Sequence, residues 1–402
     1  MGIVRSVAVA TAFVCTIVQA FAAEQKYGPG VTDTEIKIGQ TMPYSGPASA
    51  YSTVGVAQAA YFKMLNENGG INGRKINLIS LDDAYSPPKT VEQIRRLVES
   101  DEVLMIFQSL GTAPNAAIQK YLNQKKIPHL FVSSGASRFN DPANFPYTTG
   151  WSPNYASEAR VYARYILGNM PDAKIAILWQ NDDLGRDYLG GFKQGLGDRA
   201  GSMIVREASF SVSDPTIESQ IVTLKESGAD LLFIVATPKA AAQAIRGAHE
   251  LDWHPARFLV NVASSVGAVL KAAGLEAARG IISAAYQKDP NDPQWKDDPA
   301  VRDWNAWIDR YLPRADKTDF FNVYGYNSAQ TLVEVLKRCG DDLTRENVMK
   351  QVTSLNATLP MLLPGVTLSM SPTDLRPMKQ TWLQKFDGER WRLFGDVVDV
   401  TK

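Results

Sequence analysis

The sequence is poor in the residues that most often carry catalysis or bind metal ions. Its 402 residues include two cysteines and three histidines. His129, His249 and His254 have no spacing that would bring two of them and a third ligand to one metal ion. A Gly-x-Ser-x-Gly elbow, a phosphate-binding loop and a dinucleotide fingerprint are all missing. The sequence therefore predicts a protein that is not an enzyme and that binds neither a metal ion nor a cofactor.

An excess of either charge is also missing, because 42 Lys and Arg residues are balanced by 42 Asp and Glu residues. Nucleic-acid binding rests on neutralising phosphates with a basic surface, so we expect no nucleic acid partner. Cys15 lies in the N-terminal apolar run, and Cys339 is then the one cysteine left. One cysteine cannot form an internal disulfide, and a chain of this length can build its core without one.

The one long apolar run lies at the N-terminus. Arg5 precedes the run 7–21, which ends in Ala20-Phe21-Ala22. A basic residue, a short apolar stretch and small residues at its end are typical of a cleaved signal peptide. The alternative is a membrane anchor, which needs a longer run. We expect residues 1–23 to be a signal peptide and the mature protein to be exported to the periplasm.

The remaining chain alternates short β-like runs with amphipathic helical stretches. The first such pair is a strand at 35–40 and a helix at 54–66, which Gly69-Gly70 ends. The same rhythm returns from the apolar run KIAILW at 174–179 onward. Alternation of strands and helices predicts an α/β fold with parallel sheets covered on both faces. Two such series of similar size predict two lobes.

Two pairs of carboxylates follow predicted strands, Asp82-Asp83 and Asp182-Asp183. Paired carboxylates can do acid–base chemistry. Acidic residues in the loop between a strand and a helix more commonly cap the helix, so we expect both pairs to be helix caps.

Four motifs then follow one another in a recognisable order. Ser45-Gly46-Pro47 follows the first strand, and NENGGING at 66–73 ends the first helix. Asp82-Asp83 with Pro87 follows the second strand, and QNDDLGRDYLGGFKQGL at 180–196 opens the second half. In this order, over nearly the whole chain, the sequence resembles the type I periplasmic binding proteins of the branched-chain amino acid transport class.

The resemblance implies two Rossmann-like lobes of the periplasmic binding protein type I, joined by a three-segment hinge, with the ligand in the cleft between them. The N-terminal lobe would comprise residues 33–150 plus 285–364, and the C-terminal lobe residues 151–284 plus 365–402. The crossings would lie near 149–151, 283–286 and 363–366. Such a protein is the solute-binding component of an ABC importer, a monomer whose partners are a small-molecule carboxylate and the membrane subunits of the transporter.

The resemblance also implies which residues bind the ligand. Hydroxyl and N–H groups that hold the ligand carboxylate correspond to Thr112, Ser133, Ser134 and Gly135. Tyr51 matches an aromatic cover, and Leu184 takes the place of a tyrosine. The other expected positions are a second-lobe cleft residue and nearby aromatic side chains: Thr237, Trp151, Phe321 and Tyr324.

Two family features are missing from the sequence. A first-lobe disulfide would fall at Tyr85 and Gly111, neither of which is cysteine. The acid that meets the α-ammonium of the ligand should follow the strand FLVNV, but residues 261–273 contain no Asp or Glu. A buried ammonium without a partner carries a heavy desolvation cost. We therefore predict a carboxylate ligand without an α-amino group, with aromatic acids of the benzoate or phenylpropenoate type as leading candidates.

Three alternatives stay open. A branched-chain amino acid (Leu, Ile or Val) could bind if Asp182 or Asp183 turned into the cleft to meet its ammonium. The same fold also serves as the outer domain of receptors, which would make the chain a sensor that works with a separate receptor. An enzyme that uses the paired aspartates would need an activated nucleophile, a metal set or a cofactor loop beside them.

Overall fold

The computed structural model describes residues 26–401, so the predicted signal peptide at 1–23 lies outside the described residues. No helix within 26–401 has the length and apolar character needed to cross a membrane.

The first sheet comes from the first part of the described chain. The strands of this part are β1 Lys26–Tyr27, β2 Glu35–Met42, β3 Lys75–Asp82, β4 Met105–Phe107, β5 His129–Val132 and β6 Thr148–Gly150. The helices between them are α1 Ser52–Glu67, α2 Pro87–Glu99 and α3 Thr112–Gln124. Five strands pair in parallel in the order β3-β2-β4-β5-β6.

The second sheet repeats this pattern. Its parallel strands are β7 Ile175–Gln180, β8 Ile204–Phe210, β9 Leu231–Val235, β10 Ala256–Leu259 and β11 Ile282–Ala285. The helices here are α4 Tyr155–Asn169, α5 Asp183–Leu196, α6 Ala200–Met203, α7 Glu218–Glu226, α8 Pro238–Glu250, α9 Lys271–Ala273 and α10 Leu275–Ala278. The strand order is β8-β7-β9-β10-β11.

The last part of the chain adds strands to the second sheet and helices to the core of the first sheet. Its helices are α11 Pro299–Tyr311, α12 Phe321–Cys339 and α13 Arg345–Thr353. Its strands are β12 Asp342–Leu343, β13 Asn356–Ala357, β14 Leu368–Ser369, β15 Gln380–Phe386 and β16 Trp391–Asp399. β15 and β16 extend the second sheet as an antiparallel pair beside β11. Helices α11 to α13 pack on the core of the first sheet, and α12 lies against α1.

Each sheet has its own large apolar core. Val366, Leu368, Met370 and Met378 belong to the core of the first sheet, although they follow residue 364. The lobe boundaries derived from the sequence stay a prediction, and this packing favours placing the last one near Gln380, where β15 begins.

The predicted α/β fold with parallel sheets is confirmed, and its topology indicates where a ligand belongs. Both sheets have the doubly wound order 2-1-3-4-5, with a reversal between β2 and β4 and between β7 and β9. Open sheets of this kind bind ligands outside the carboxyl ends of their strands, at the point of reversal. The loops after these strands are therefore the place to look for a site.

The carboxylate pairs differ in what they do. Asp182 is the N-cap of α5, and its side chain accepts the N–H groups of Leu184 and Gly185, as predicted. At the other pair the prediction is wrong, because Ser86 is the N-cap of α2. Asp82 instead accepts from the N–H and hydroxyl of Ser45, and so ties together the two loops that follow β2 and β3.

Candidate functional site

A cavity lies where the carboxyl ends of the strands of the two sheets face each other. It encloses about 460 Å³ of empty space, part of it open to solvent. The lining residues are Tyr51, Val54, Tyr85, Leu110, Gly111, Thr112, Ser133, Ser152, Tyr155, Leu184, Thr237, Asn261, Val262, Tyr286, Phe320, Phe321 and Tyr324. Seven of these are aromatic and none carries a charged side chain, so the wall offers a ligand rings, hydroxyls and one side-chain amide.

Seven of the ten residues predicted from the sequence line this cavity: Tyr51, Thr112, Ser133, Leu184, Thr237, Phe321 and Tyr324. Ser134, Gly135 and Trp151 do not. Ser134 lies behind Thr112, and Gly135 packs against the ring of Tyr155. Trp151 is fully buried behind Tyr324 and donates its indole N–H to Thr331 at 2.9 Å.

The first-sheet side of the cavity contains the start of α3. Gly111 is the N-cap, with φ of 105°, and Thr112 is the first helical residue. The hydroxyls of Thr112 and Ser134 lie 2.8 Å apart, and Ser134 also accepts the N–H of Ala136. Backbone N–H groups at a helix start have no partner within the helix, and the helix dipole favours negative charge there. This part of the wall suits an anionic group.

Tyr85 occupies one of the two positions at which the resemblance would place a first-lobe disulfide. Its backbone is in the left-handed region, with φ of 59°, and its ring lies against Gly111. A methyl group on Gly111 would come within 2.4 Å of that ring, so only glycine fits beside it. Burial raises the pKa of Tyr85 well above its ordinary value, and hydrogen bonding with the N–H of Thr112 and the side chain of Gln180 opposes the rise. Tyr85 therefore presents a neutral hydroxyl beside the helix start.

Tyr324 joins the hydroxyls on the opposite side of the same wall. Its phenol oxygen accepts a hydrogen bond from Ser133 at 3.0 Å and lies 3.1 Å from the hydroxyl of Ser152. Trp151 packs edge-on against its ring at 4.8 Å. Tyr51 and Phe321 stack at an angle nearby, with ring centroids 4.9 Å apart. These packed rings hold the hydroxyls in place before any ligand enters.

On the second-sheet side of the cavity, three side chains are linked in series by hydrogen bonds. Thr237 donates to Gln180 at 2.9 Å, and Gln180 donates to Asp182 at 2.6 Å. Asp182 in turn holds the start of α5, which carries Leu184 into the cavity wall. The apolar side chain of Leu184 and the hydroxyl of Thr237 are therefore fixed by partners outside the cavity.

Three carboxylates near the cavity are fully occupied by internal partners. Glu158 is buried and accepts from Tyr162, from Tyr188 and from the N–H of Asn261, at 2.6, 3.0 and 2.8 Å. Burial raises the pKa of both Glu158 and Asp182. Asp183 makes ion pairs with Arg138 and Arg186. These bonds would have to break before either aspartate could turn toward a ligand.

Several contacts join the two halves of the molecule across the cavity. Tyr51 donates to the carbonyl of Val262 at 3.0 Å. Ser265 donates to Asp319 at 2.8 Å, and Lys271 pairs with Asp316 at 2.7 Å. Arg138 pairs with Asp183, also at 2.7 Å. The structure is therefore a closed arrangement, in which each half supplies part of one wall.

Sequence reasoning missed ten lining residues: Val54, Tyr85, Leu110, Gly111, Ser152, Tyr155, Asn261, Val262, Tyr286 and Phe320. Tyr85, Asn261 and Tyr286 each follow the carboxyl end of a strand, which is the signal that could have found them. Asn261 lies in the region 261–273, where the resemblance would place an acid for the ligand ammonium. Among residues 26–401, no three His, Cys, Asp or Glu side chains are grouped so that they could hold a metal ion.

Comparison with known proteins agrees with this geometry. Residues 35–390 match the family model described as periplasmic binding protein. A Leu/Ile/Val-binding protein homolog of Brucella melitensis is 26% identical over 204 residues, 50% of this chain and 54% of that protein, so the chain spans about half the length of that relative. An amino acid binding protein of Pseudomonas aeruginosa is 22% identical over 76% of this chain and 79% of that protein.

Solved structures share the fold. A branched-chain amino acid ABC transporter protein of Thermus thermophilus with bound valine has a TM-score of 0.82 at 18% identity, covering 92% of this chain and 97% of that one. A solute binding protein of an ABC transporter from Rhodopseudomonas palustris BisB5, in complex with 3,4-dihydroxy benzoic acid, has a TM-score of 0.76 at 20% identity, covering 92% and 98%. The resemblance read from the sequence is confirmed. The chain belongs to the periplasmic binding protein family and is similar to its Leu/Ile/Val-binding members.

Proposed function

We propose that this protein is the periplasmic solute-binding component of an ABC importer, and that its ligand is a small carboxylate without an α-amino group. Aromatic acids of the benzoate or phenylpropenoate type are the leading candidates. The observation that carries the proposal is a cavity with seven aromatic residues, a helix start and no charged side chain in its wall.

The anionic end of the ligand would meet the N–H groups at the start of α3 and the hydroxyls of Thr112 and Ser133. Hydrogen bonds from neutral donors to an anion are stronger than those between neutral groups. The ring would lie among Tyr51, Phe321 and Tyr324, since aromatic rings favour offset and edge-on contacts with one another. The neighbour that binds 3,4-dihydroxy benzoic acid supports the same ligand class.

An α-ammonium has no charged partner in this wall. Glu158 and Asp182 are occupied by internal hydrogen bonds, and Asp183 by two arginines. An ammonium moved from water into such a cavity would lose hydration without gaining an ion pair. This is why we prefer a carboxylate that lacks the amino group.

A branched-chain amino acid is the second candidate, because several relatives are named Leu/Ile/Val-binding proteins and one structural neighbour holds valine. It would require Asp182 or Asp183 to leave its present partners. In either case we propose that the free protein opens between two lobes and that the ligand, bridging both, shifts the population to the closed form. The closed monomer would then be what the membrane subunits recognise.

A thermal-shift screen of the mature protein tests the ligand class. Binding to the folded state raises the melting temperature by mass action. We expect a rise with benzoate or cinnamate and little change with leucine, isoleucine or valine. A rise with the three amino acids and none with the aromatic acids would reverse the order of the two candidates.

A further inference from the structure

Three buried glutamine side chains form a series of hydrogen bonds between the first sheet and helix α1. Gln40 lies on β2, Gln58 on α1 and Gln108 directly after β4, and each is 0% exposed. The series begins at Ser80, whose hydroxyl donates to Oε1 of Gln40 at 2.8 Å. Burying an amide is costly unless its donors and acceptors find partners, so packing alone does not explain three of them in one row.

The hydrogen bonds fix the direction in which each amide points. Nε2 of Gln40 donates to the backbone carbonyl of Phe107 at 3.3 Å and to Oε1 of Gln58 at 2.6 Å. A carbonyl oxygen accepts only, so the NH₂ group of Gln40 must lie on this side. Nε2 of Gln58 then donates to Ser328 at 2.9 Å and to Oε1 of Gln108 at 3.4 Å. Each amide therefore accepts from the one before it, which leaves the NH₂ group of Gln108 at the end of the series.

That end lies beside the ligand cavity. Nε2 of Gln108 is buried, and in the described part of the chain it has no acceptor within hydrogen-bond distance. It lies close enough to the phenol of Tyr324 to oppose the rise in the pKa of Tyr324 that burial causes. Ser328, the other acceptor of Gln58, follows Tyr324 by four residues on α12, so both lie on one face of that helix. The last donor of the series is therefore directed toward the Tyr324 hydroxyl.

The Tyr324 oxygen faces donors on its protein side. Ser133 donates to it at 3.0 Å, and the NH₂ group of Gln108 can only donate. Burial raises the pKa of Tyr324, so the phenol keeps its own proton, which must point toward a different acceptor. The remaining neighbours are the hydroxyl of Ser152, at 3.1 Å, and the contents of the cavity that Tyr324 lines.

We propose that Tyr324 is a specificity-determining residue whose hydroxyl donates a hydrogen bond to a carboxylate oxygen of the ligand, and that Gln108 is the positioning residue that turns the hydroxyl toward it. The inference rests on the proposed function and deepens it, because it adds a donor to the group of hydroxyls around Ser133 and the start of α3. A ligand that presents an ammonium or another donor at this place would meet the proton of Tyr324 rather than its oxygen.

A double-mutant cycle of Tyr324→Phe and Gln108→Met, measured by isothermal titration, tests the proposal. The probes are benzoate, cinnamate and leucine, all of which carry a carboxylate, and the cycle uses those that the wild-type protein binds. Tyr324→Phe should weaken binding about ten- to hundredfold, the range of one hydrogen bond to a charged group. Gln108→Met should weaken it about three- to tenfold in the wild-type background and less than about twofold in the Tyr324→Phe background, because Gln108 acts through the hydroxyl.

Gln330→Met is the matched control, because it makes the same chemical change on α12 outside the cavity wall. It should bind each probe as the wild-type protein does. If Gln108→Met does not fold, Gln58→Met takes its place in the cycle. Without the amide of Gln58, Oε1 of Gln108 loses its donor and the direction of the Gln108 amide is no longer fixed, so the same dependence on the Tyr324 hydroxyl is expected.

The outcomes separate this inference from the function on which it rests. If the wild-type protein binds a ring acid and Tyr324→Phe binds it equally well, the inference is overturned and the proposed function stands. If Gln108→Met weakens binding by the same factor in both backgrounds, Gln108 does not act through Tyr324 and its assignment is wrong. If leucine alone binds, the preferred ligand class falls, and the cycle with leucine still decides the role of Tyr324. A wild-type protein that binds none of the three probes would overturn both.

Discussion

Two ion pairs that join the halves of the molecule should contribute to ligand affinity without touching the ligand. Arg138 pairs with Asp183 and Lys271 with Asp316, each at 2.7 Å. Their side chains are between 36% and 46% exposed, so each pair is worth about 0.2–1 kcal/mol. If the pairs form on closure, removing both weakens binding by about two- to thirtyfold.

The double variant Arg138→Ala, Lys271→Ala tests this by isothermal titration at low and high salt. Surface ion pairs are screened by salt, so wild-type affinity should fall as salt rises, and the double variant should respond much less. Asp183 keeps Arg186 as a partner in the variant, which limits the cost of the lost arginine. Lys193→Ala is the matched control, because Lys193 pairs with Glu207 at 2.7 Å within the second half alone.

The control should bind as the wild-type protein does. The reasoning is refuted if the double variant has wild-type affinity and wild-type salt dependence. That result would mean that the two ion pairs exist equally in the open and closed forms, so that they contribute nothing to the free energy of closure.

Three further predictions concern single residues. Thr112→Val removes the hydroxyl beside the helix start and its hydrogen bond with Ser134, so titration should show binding of a carboxylate ligand weakened by about 1–3 kcal/mol. Unchanged affinity would remove Thr112 from the site. Gly111→Ala should lower the free energy of unfolding, measured in urea, by about 1–3 kcal/mol and should also weaken ligand binding, because the added methyl group would collide with the ring of Tyr85. Wild-type stability together with wild-type affinity would contradict this packing. Burial lowers the pKa of His129 to about 3, so the unfolded chain binds the extra proton between about 3 and 6.5, and stability should fall as pH drops through that window. His129→Gln, which stays neutral, should lose less stability there in acid unfolding, and equal losses would argue against burial as the cause.

Much of the fold could be predicted, because the spacing of apolar residues along the chain indicates which side chains are buried. The strand predicted at 35–40 runs from Glu35 to Met42, and the helix predicted at 54–66 runs from Ser52 to Glu67. The helix that follows the apolar run at 174–179 begins at Asp183, although its first turn, DLGR, lacks the apolar spacing of the rest. Its N-cap, Asp182, was the better signal for where it starts.

The site residues were harder to predict, because the direction in which each side chain points decides whether it reaches the cavity. Trp151 and Ser152 are neighbours in the segment that follows β6. Ser152 faces the cavity and Trp151 faces the core. The sequence-based choice of Trp151 therefore named the neighbour whose side chain points away from the cavity.

The central claim is that the cavity takes a carboxylate and excludes an α-ammonium. Isothermal titration of matched pairs tests it most directly: isocaproate against leucine, and hydrocinnamate against phenylalanine, each pair differing only by the α-amino group. In the pair whose side chain fits, we expect the acid without the amino group to bind at least about tenfold more tightly, the equivalent of about 1.4 kcal/mol. Leucine that binds as tightly as isocaproate, or more tightly, would contradict it and would point to an ammonium partner in the cavity wall.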